Sequence, residues 1–96
     1  MRAKDVIHET AQAFNFEAQD LCGMSRKQEL VLARQTAMYI LWQRTNCTLA
    51  RIGKALGNRT PATVSWGYQR IAKQINHKPE LREKLERINE SLFAPL

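Results

Sequence analysis

The side chains with the clearest chemical signature are lysines and arginines, which are concentrated in the middle of the chain. Residues 24–78 contain ten basic residues and one acidic residue, Glu29, for a net charge of +9. Residues 1–23 carry −2 and residues 79–96 carry −1, so the 96 residues together carry +6. A segregated cationic stretch attracts polyanions. The charge distribution therefore predicts a polyanion-binding surface, and it leaves open the alternative of a basic domain without such a partner.

Residues that perform catalysis or hold metals are sparse. His8 and His77 are isolated from each other, and neither stands at ligand spacing from Cys22 or Cys47. A zinc site needs several such ligands, and a hydrolytic site needs a nucleophile, a base and an orienting acid. We therefore expect no catalytic residue, no metal, no cofactor and no small-molecule substrate. An enzyme such as a nuclease accessory is the least favoured function, because it would need clustered acidic residues and residues 24–78 contain only Glu29.

The cysteines and the hydropathy pattern bear on the compartment. The two cysteines form no Cys-x-x-Cys pair, and no apolar run is long enough for a signal peptide core or a membrane span. These features predict a cytoplasmic protein with reduced thiols and without a membrane partner.

The spacing of apolar residues predicts helices almost throughout. Only three prolines and four glycines interrupt the chain, and apolar residues recur every three or four positions. We expect an all-α fold of five to six helices in one compact domain spanning residues 1–96, with residues 1–3 and 94–96 frayed. The predicted helices cover residues 4–14, 17–21, 28–44, 49–56, 61–76 and 79–93. Their predicted inward residues include Val31, Ala37, Met38, Leu41, Trp42, Val64, Tyr68, Ile71, Ile75, Leu81, Leu85, Ile88 and Leu92.

The positions of two glycines predict structural roles for them. Gly23 follows the short second helix, where a left-handed residue often ends a helix. Gly67 lies inside a predicted helix, where glycine costs roughly 1 kcal/mol relative to alanine. We expect Gly67 to permit a close crossing with the helix that contains Gly53.

Residues 48–76 have the pattern of a helix-turn-helix. Thr48 can cap a short helix that closes at Gly57, and Thr60 followed by Pro61 begins a longer one. In this motif the second helix lies in the major groove of double-stranded DNA. Its N-terminal outward residues are predicted to contact bases, and those further along to contact phosphates. The base contacts would be Thr60, Ala62, Thr63 and Trp66, and the phosphate contacts Gln69, Arg70 and Lys73.

Two segments resemble the C-terminal DNA-binding domain of the bacterial replication initiator DnaA. Residues 52–64 read IGKALGNRTPATV, similar to that family's Ile-Gly-x-x-x-Gly-Gly-Arg-Asp-His-Thr-Thr-Val segment, and residues 33–40 read ARQTAMYI. The resemblance implies a tryptophan-repressor-like arrangement of helices that binds double-stranded DNA. It also implies phosphate contacts at Arg34 and Gln35 and a minor-groove arginine at Arg26, and we include Lys27 and Arg59 among the predicted DNA contacts.

The departures from the family pattern lie at the tip of the second helix. Thr60, Pro61 and Ala62 stand where the family has Asp-His-Thr, so base readout would differ. The family's ATPase core, with its phosphate-binding loop, is absent from these residues. The resemblance implies a monomer associated with the nucleoid and leaves replication control and transcription regulation as alternatives. A protein-interaction adaptor that kept the fold but lost base readout is the runner-up.

Overall fold

The computed structural model describes residues 1–93 and is helical, with no strand in this part of the chain. This confirms the predicted all-α class. The elements are α1 (Ala3–Ala13), α2 (Ala18–Leu21), α3 (Gln28–Arg44), α4 (Leu49–Ala55), α5 (Pro61–Gln74) and α6 (Pro79–Phe93).

The predicted helix boundaries agree with the structure within two residues, and those of α3 and α6 agree at both ends. Side-chain caps begin α4 and α5: the hydroxyl of Thr48 accepts the backbone N–H of Arg51, and that of Thr60 accepts the N–H of Thr63. The predicted fraying of residues 1–3 is wrong at Ala3, which is already helical, whereas that of residues 94–96 lies outside the described residues.

Helix α3 is the central element of the packing. It packs most extensively against α5 and then against α1, while α4 packs on α5 and α6 packs on α1. One hydrophobic cluster runs through all six helices, with Leu21, Met38, Ile40, Leu41, Ile52, Leu56 and Ile71 among its fully buried side chains. Helix α3 thus packs against the α4–α5 pair and supports it.

Several predicted core residues lie at the edge of the core instead. Val31, Tyr68, Ile75 and Leu92 are only partly buried. Trp42 is 39% exposed, and its ring stacks on that of Tyr68 with centroids 5.4 Å apart. The stacked rings lie at the edge of the α3–α5 contact. Each ring shields one face of the other from solvent, although neither is fully buried.

The expectations for two glycines are wrong. Gly23 does not adopt the left-handed conformation, which Gly57 takes with φ of 83°. A Cβ on Gly67 would lie 2.5 Å from the sulfur of Met38, so Gly67 allows α5 to approach α3 and not the helix containing Gly53.

Gly53 permits a different close contact. Its carbonyl accepts the backbone N–H of Arg59 at 2.9 Å, and a Cβ on Gly53 would lie 2.0 Å from the carbonyl oxygen of Arg59. The atoms that this Cβ would meet, the carbonyl oxygen and carbon of Arg59, belong to the backbone, which cannot move aside cheaply. The turn between α4 and α5 is therefore folded directly onto α4.

We expect Gly53→Ala to destabilise the fold by roughly 2–3 kcal/mol, because the overpacking cost exceeds the roughly 1 kcal/mol that alanine gains in a helix. Urea unfolding followed by circular dichroism measures this. Gly23→Ala is the matched control, since a Cβ there would meet its nearest neighbour at an ordinary 3.4 Å. Equal stability of the two variants would contradict the role given to Gly53.

Candidate nucleic-acid interface

The turn between α4 and α5 reverses the chain with two left-handed residues. Gly57 has φ of 83° and Asn58 has φ of 62°. Glycine adopts this region without strain, and asparagine tolerates it better than most residues. The turn places the N-terminus of α5 at the surface, directly after Arg59.

The tip of α5 carries two hydroxyls and two small apolar residues. The hydroxyl oxygens of Thr60 and Thr63 are 3.0 Å apart, and both residues are exposed, as are Pro61 and Ala62. Thr60 accepts the backbone N–H of Thr63 as well, so its side chain is fixed by the cap. The tip can therefore offer hydroxyl contacts and apolar contacts, but no amide or charged group.

The outer face of α5 continues from this tip as an exposed, cationic surface. Trp66 is 71% exposed, so its side chain lies on the surface and not in the core. Together with Gln69, Arg70 and Lys73 it lines a shallow recess of about 530 Å³. An exposed indole next to two cations is a surface that suits bases and phosphates.

Gln35 connects α3 to this face. Its side-chain oxygen accepts a hydrogen bond of 3.1 Å from the guanidinium of Arg70. The hydrogen bond uses the side-chain oxygen of Gln35, so the side-chain NH₂ group takes no part in it. The bond also holds the guanidinium of Arg70 in position. The two predicted phosphate contacts are therefore neighbours in space, although 35 residues separate them in sequence.

Arg34 lies in the interior and not on the outer surface. It is 6% exposed. Its Nε donates to the carbonyl of Leu21 at 2.7 Å, and one terminal nitrogen donates to the carbonyls of Gly23 and Ser25 at 3.2 Å each. The side chain thus fixes residues 22–27, which connect α2 to α3 and which we call the basic loop.

Arg59, in the α4–α5 turn, also donates to the Gly23 carbonyl. Its guanidinium donates to the carbonyls of Leu56 and Gly23, so Gly23 accepts from both arginines. Burial lowers the pKa of Arg34, the neighbouring Arg59 lowers it further, and Cys22 opposes the shift. Burial also lowers the pKa of Arg59, again opposed by Cys22. The basic loop and the α4–α5 turn are thereby joined through two cations.

The basic loop presents its cations outward. Arg26 and Lys27 are exposed, and Met24 is 88% exposed. The loop's backbone is fixed at Gly23 and Ser25 by the arginine hydrogen bonds. The basic loop, which carries Arg26, therefore has a fixed position relative to α5.

Sequence reasoning missed two features of this region. The carbonyls of Gly23 and Ser25 are the acceptors that position the loop, and no side-chain pattern identifies a carbonyl acceptor. It also missed a groove lined by Arg2, Arg44, Arg51 and Lys54. The three-residue spacing of Arg51 and Lys54 on one helix was a usable signal for that groove.

The described part of the chain carries no sign of a metal centre or a membrane span. Within residues 1–93, histidine, cysteine, aspartate and glutamate side chains do not gather in threes in a way that could hold an ion. None of the helices in this range is both long and apolar enough to cross a membrane.

The chain is similar to curated bacterial proteins over nearly its whole length. It is 35% identical over 95 residues to the chromosomal replication initiator protein DnaA of Thermomicrobium roseum, covering 95% of this chain and 20% of that protein. It is 34% identical over 88 residues to the protein of that name from Roseiflexus castenholzii, covering 92% of this chain and 18% of that protein. This chain therefore spans about a fifth of the length of these relatives.

A family model confirms the resemblance inferred from the sequence segments. The model described as bacterial dnaA protein helix-turn-helix matches residues 3–71, which include α1 through most of α5. That match contains the basic loop, the α4–α5 turn and the tip of α5. The chain belongs to the family of the bacterial DnaA helix-turn-helix domain.

Proposed function

We propose that this chain binds double-stranded DNA, with the tip of α5 in the major groove and Arg26 in the adjacent minor groove. The observation that carries the proposal is the joint fixation of the two elements by Arg34 and Arg59 on the Gly23 carbonyl. A major groove admits an α-helix, and an arginine suits a narrow minor groove. Reading both grooves at once requires a fixed distance between the two elements.

The proposed contacts fall into three groups. Thr60, Ala62, Thr63 and Trp66 would meet base edges. Gln35, Lys27, Arg70 and Lys73 would meet phosphates, which position the protein without reading sequence. Arg34 and Arg59 would act mainly by holding the basic loop and the turn, because their guanidinium groups already donate to backbone carbonyls.

The biological role is proposed from the name of the relatives, chromosomal replication initiator protein. We propose that this chain acts as a monomer in replication-initiation control, on chromosomal DNA in the bacterial cytoplasm. A role in transcription would use the same contacts on other sites. Pro61 and Ala62 at the tip have no side-chain group that hydrogen-bonds a base, which also fits the protein-interaction adaptor. An absence of DNA binding would favour that alternative.

Fluorescence anisotropy on a labelled duplex of about 15 base pairs, roughly one and a half helical turns, tests DNA binding directly. Each phosphate contact contributes about −0.9 to the slope of log affinity against log salt. With Lys27, Arg70 and Lys73 on phosphates, we expect a slope of about −3. A DnaA-box duplex and a random duplex are compared. The absence of binding to both at low salt would remove this proposal and favour the adaptor.

Substitutions of Arg26 and Lys73 should separate readout from positioning. We expect Arg26→Ala to reduce the preference for A·T-rich sites by about 1–2 kcal/mol, because its side chain would read minor-groove width. Lys73→Ala should weaken binding to all duplexes by a similar factor. Arg87→Ala on α6 serves as the charge-matched control. Identical behaviour of the Arg26 and Lys73 variants would contradict the assigned roles.

Arg34→Lys distinguishes a supporting role from a phosphate contact. Lysine keeps the charge, but its single ammonium cannot reproduce the planar fork that spans three carbonyls. We expect Arg34→Lys to lose stability and sequence preference nearly as fully as Arg34→Ala, as measured by urea unfolding and anisotropy. Near-native binding by Arg34→Lys would instead indicate that the charge alone matters, as for a phosphate contact.

A further inference from the structure

A second basic surface lies outside the proposed DNA contacts of α5 and the basic loop. Arg2, Arg44, Arg51 and Lys54 line one groove of about 880 Å³, together with the polar side chains of Asn46 and Asn58. The groove draws residues from the N-terminus, the end of α3 and the exposed side of α4. Among residues 1–93, no acidic side chain lines it.

The side chains that line this groove suit the phosphates of a nucleic-acid backbone better than a small molecule. Small-molecule sites are lined mainly by apolar and aromatic side chains with a few polar groups. Here no aromatic side chain lines the groove, its apolar residues are mostly small, and four of the lining side chains are cationic. Arginine forks bind phosphate oxygens in pairs, and neutral amides such as Asn46 add single hydrogen bonds.

The fold holds one of these cations and places two others on one helix. The guanidinium of Arg44 lies 4.4 Å from the centre of the Phe93 ring, which fixes it by a cation–π contact. Arg51 and Lys54 are exposed on α4 three residues apart, and therefore on one side of that helix. The positive charge thus belongs to a defined surface.

The groove adjoins the tip of α5. Residues 45–47 line it on one side, and they also line a neighbouring recess formed with Thr48, Ala50 and Pro61. Pro61 is the first residue of α5. The recess therefore connects the groove that holds Arg51 and Lys54 with the tip, and the backbone of a duplex bound at the tip would pass along it.

We propose that this groove binds the sugar-phosphate backbone of the same duplex, just beyond the site read by α5. The inference rests on the proposed DNA binding and adds to it a second, sequence-independent contact surface. The cations of α4 and the end of α3 would lengthen the protein's footprint along the backbone on one side.

The test uses the whole chain and a duplex of about 40 base pairs, nearly four helical turns, carrying the site preferred by the wild-type protein. Arg51→Ala/Lys54→Ala removes two cations, and alanine favours the helix, so circular dichroism should show an unchanged fold. Hydroxyl-radical footprinting and the salt dependence of affinity are measured. Lys78→Ala/Arg87→Ala is the control, with the same change of charge at two exposed positions, one just before α6 and one on it.

We expect Arg51→Ala/Lys54→Ala to lose one flanking patch of backbone protection and to reduce the magnitude of the salt slope by about 1.8, with sequence preference unchanged. The control should keep both. Protection and slope like those of the wild type would overturn the proposal, as would an equal loss across the whole footprint. Capture of a second duplex by the wild type, but not by the variant, would overturn the single-duplex arrangement. If the wild type binds no duplex, it is the DNA-binding proposal itself that fails.

Discussion

One backbone carbonyl, that of Gly23, links the two exposed elements of this protein, the basic loop and the α4–α5 turn that precedes the tip of α5. It accepts hydrogen bonds from Arg34 on α3 and from Arg59 in the α4–α5 turn. These bonds add to the hydrogen bond from the Cys22 thiol to the carbonyl of Ala55, which also joins the basic loop to this region. Because arginine presents several donors in a rigid plane, one side chain can hold several carbonyls at once. The distance between Arg26 and the tip of α5 is a consequence of this arrangement.

The arrangement places two cations close together with carbonyls as acceptors. Burial and their mutual proximity lower the pKa of Arg34, which shows that the folded state disfavours its charge relative to water. A carboxylate at this point would relieve that cost. It would also place negative charge between the basic loop and the outer face of α5, where it would repel a polyanion. The two arginines keep this part of the molecule positive and rigid at some expense in stability.

The helices and the outer face of α5 could be predicted because local signals specify them. Thr60 and Pro61 determine where α5 begins, and the spacing of its apolar residues determines which side faces outward. Arg34 could not be assigned to the interior, because an arginine on a helix is usually read as exposed and its acceptors are main-chain carbonyls. The partner of Gly67 depended on which helix crosses α5, which is a property of the tertiary packing.

The composition of the α5 tip explains why the fixed loop matters for the proposed readout. A side chain that makes two hydrogen bonds to a base contributes about 1–3 kcal/mol of discrimination, and neither Pro61 nor Ala62 makes any. Thr63 and the exposed Trp66 offer a hydroxyl and an apolar surface, which suit a thymine methyl better than a bidentate pattern. A larger share of recognition would then pass to groove width and backbone contacts, which depend on position. Rigid placement of Arg26 relative to α5 would compensate for the weaker chemistry of the tip.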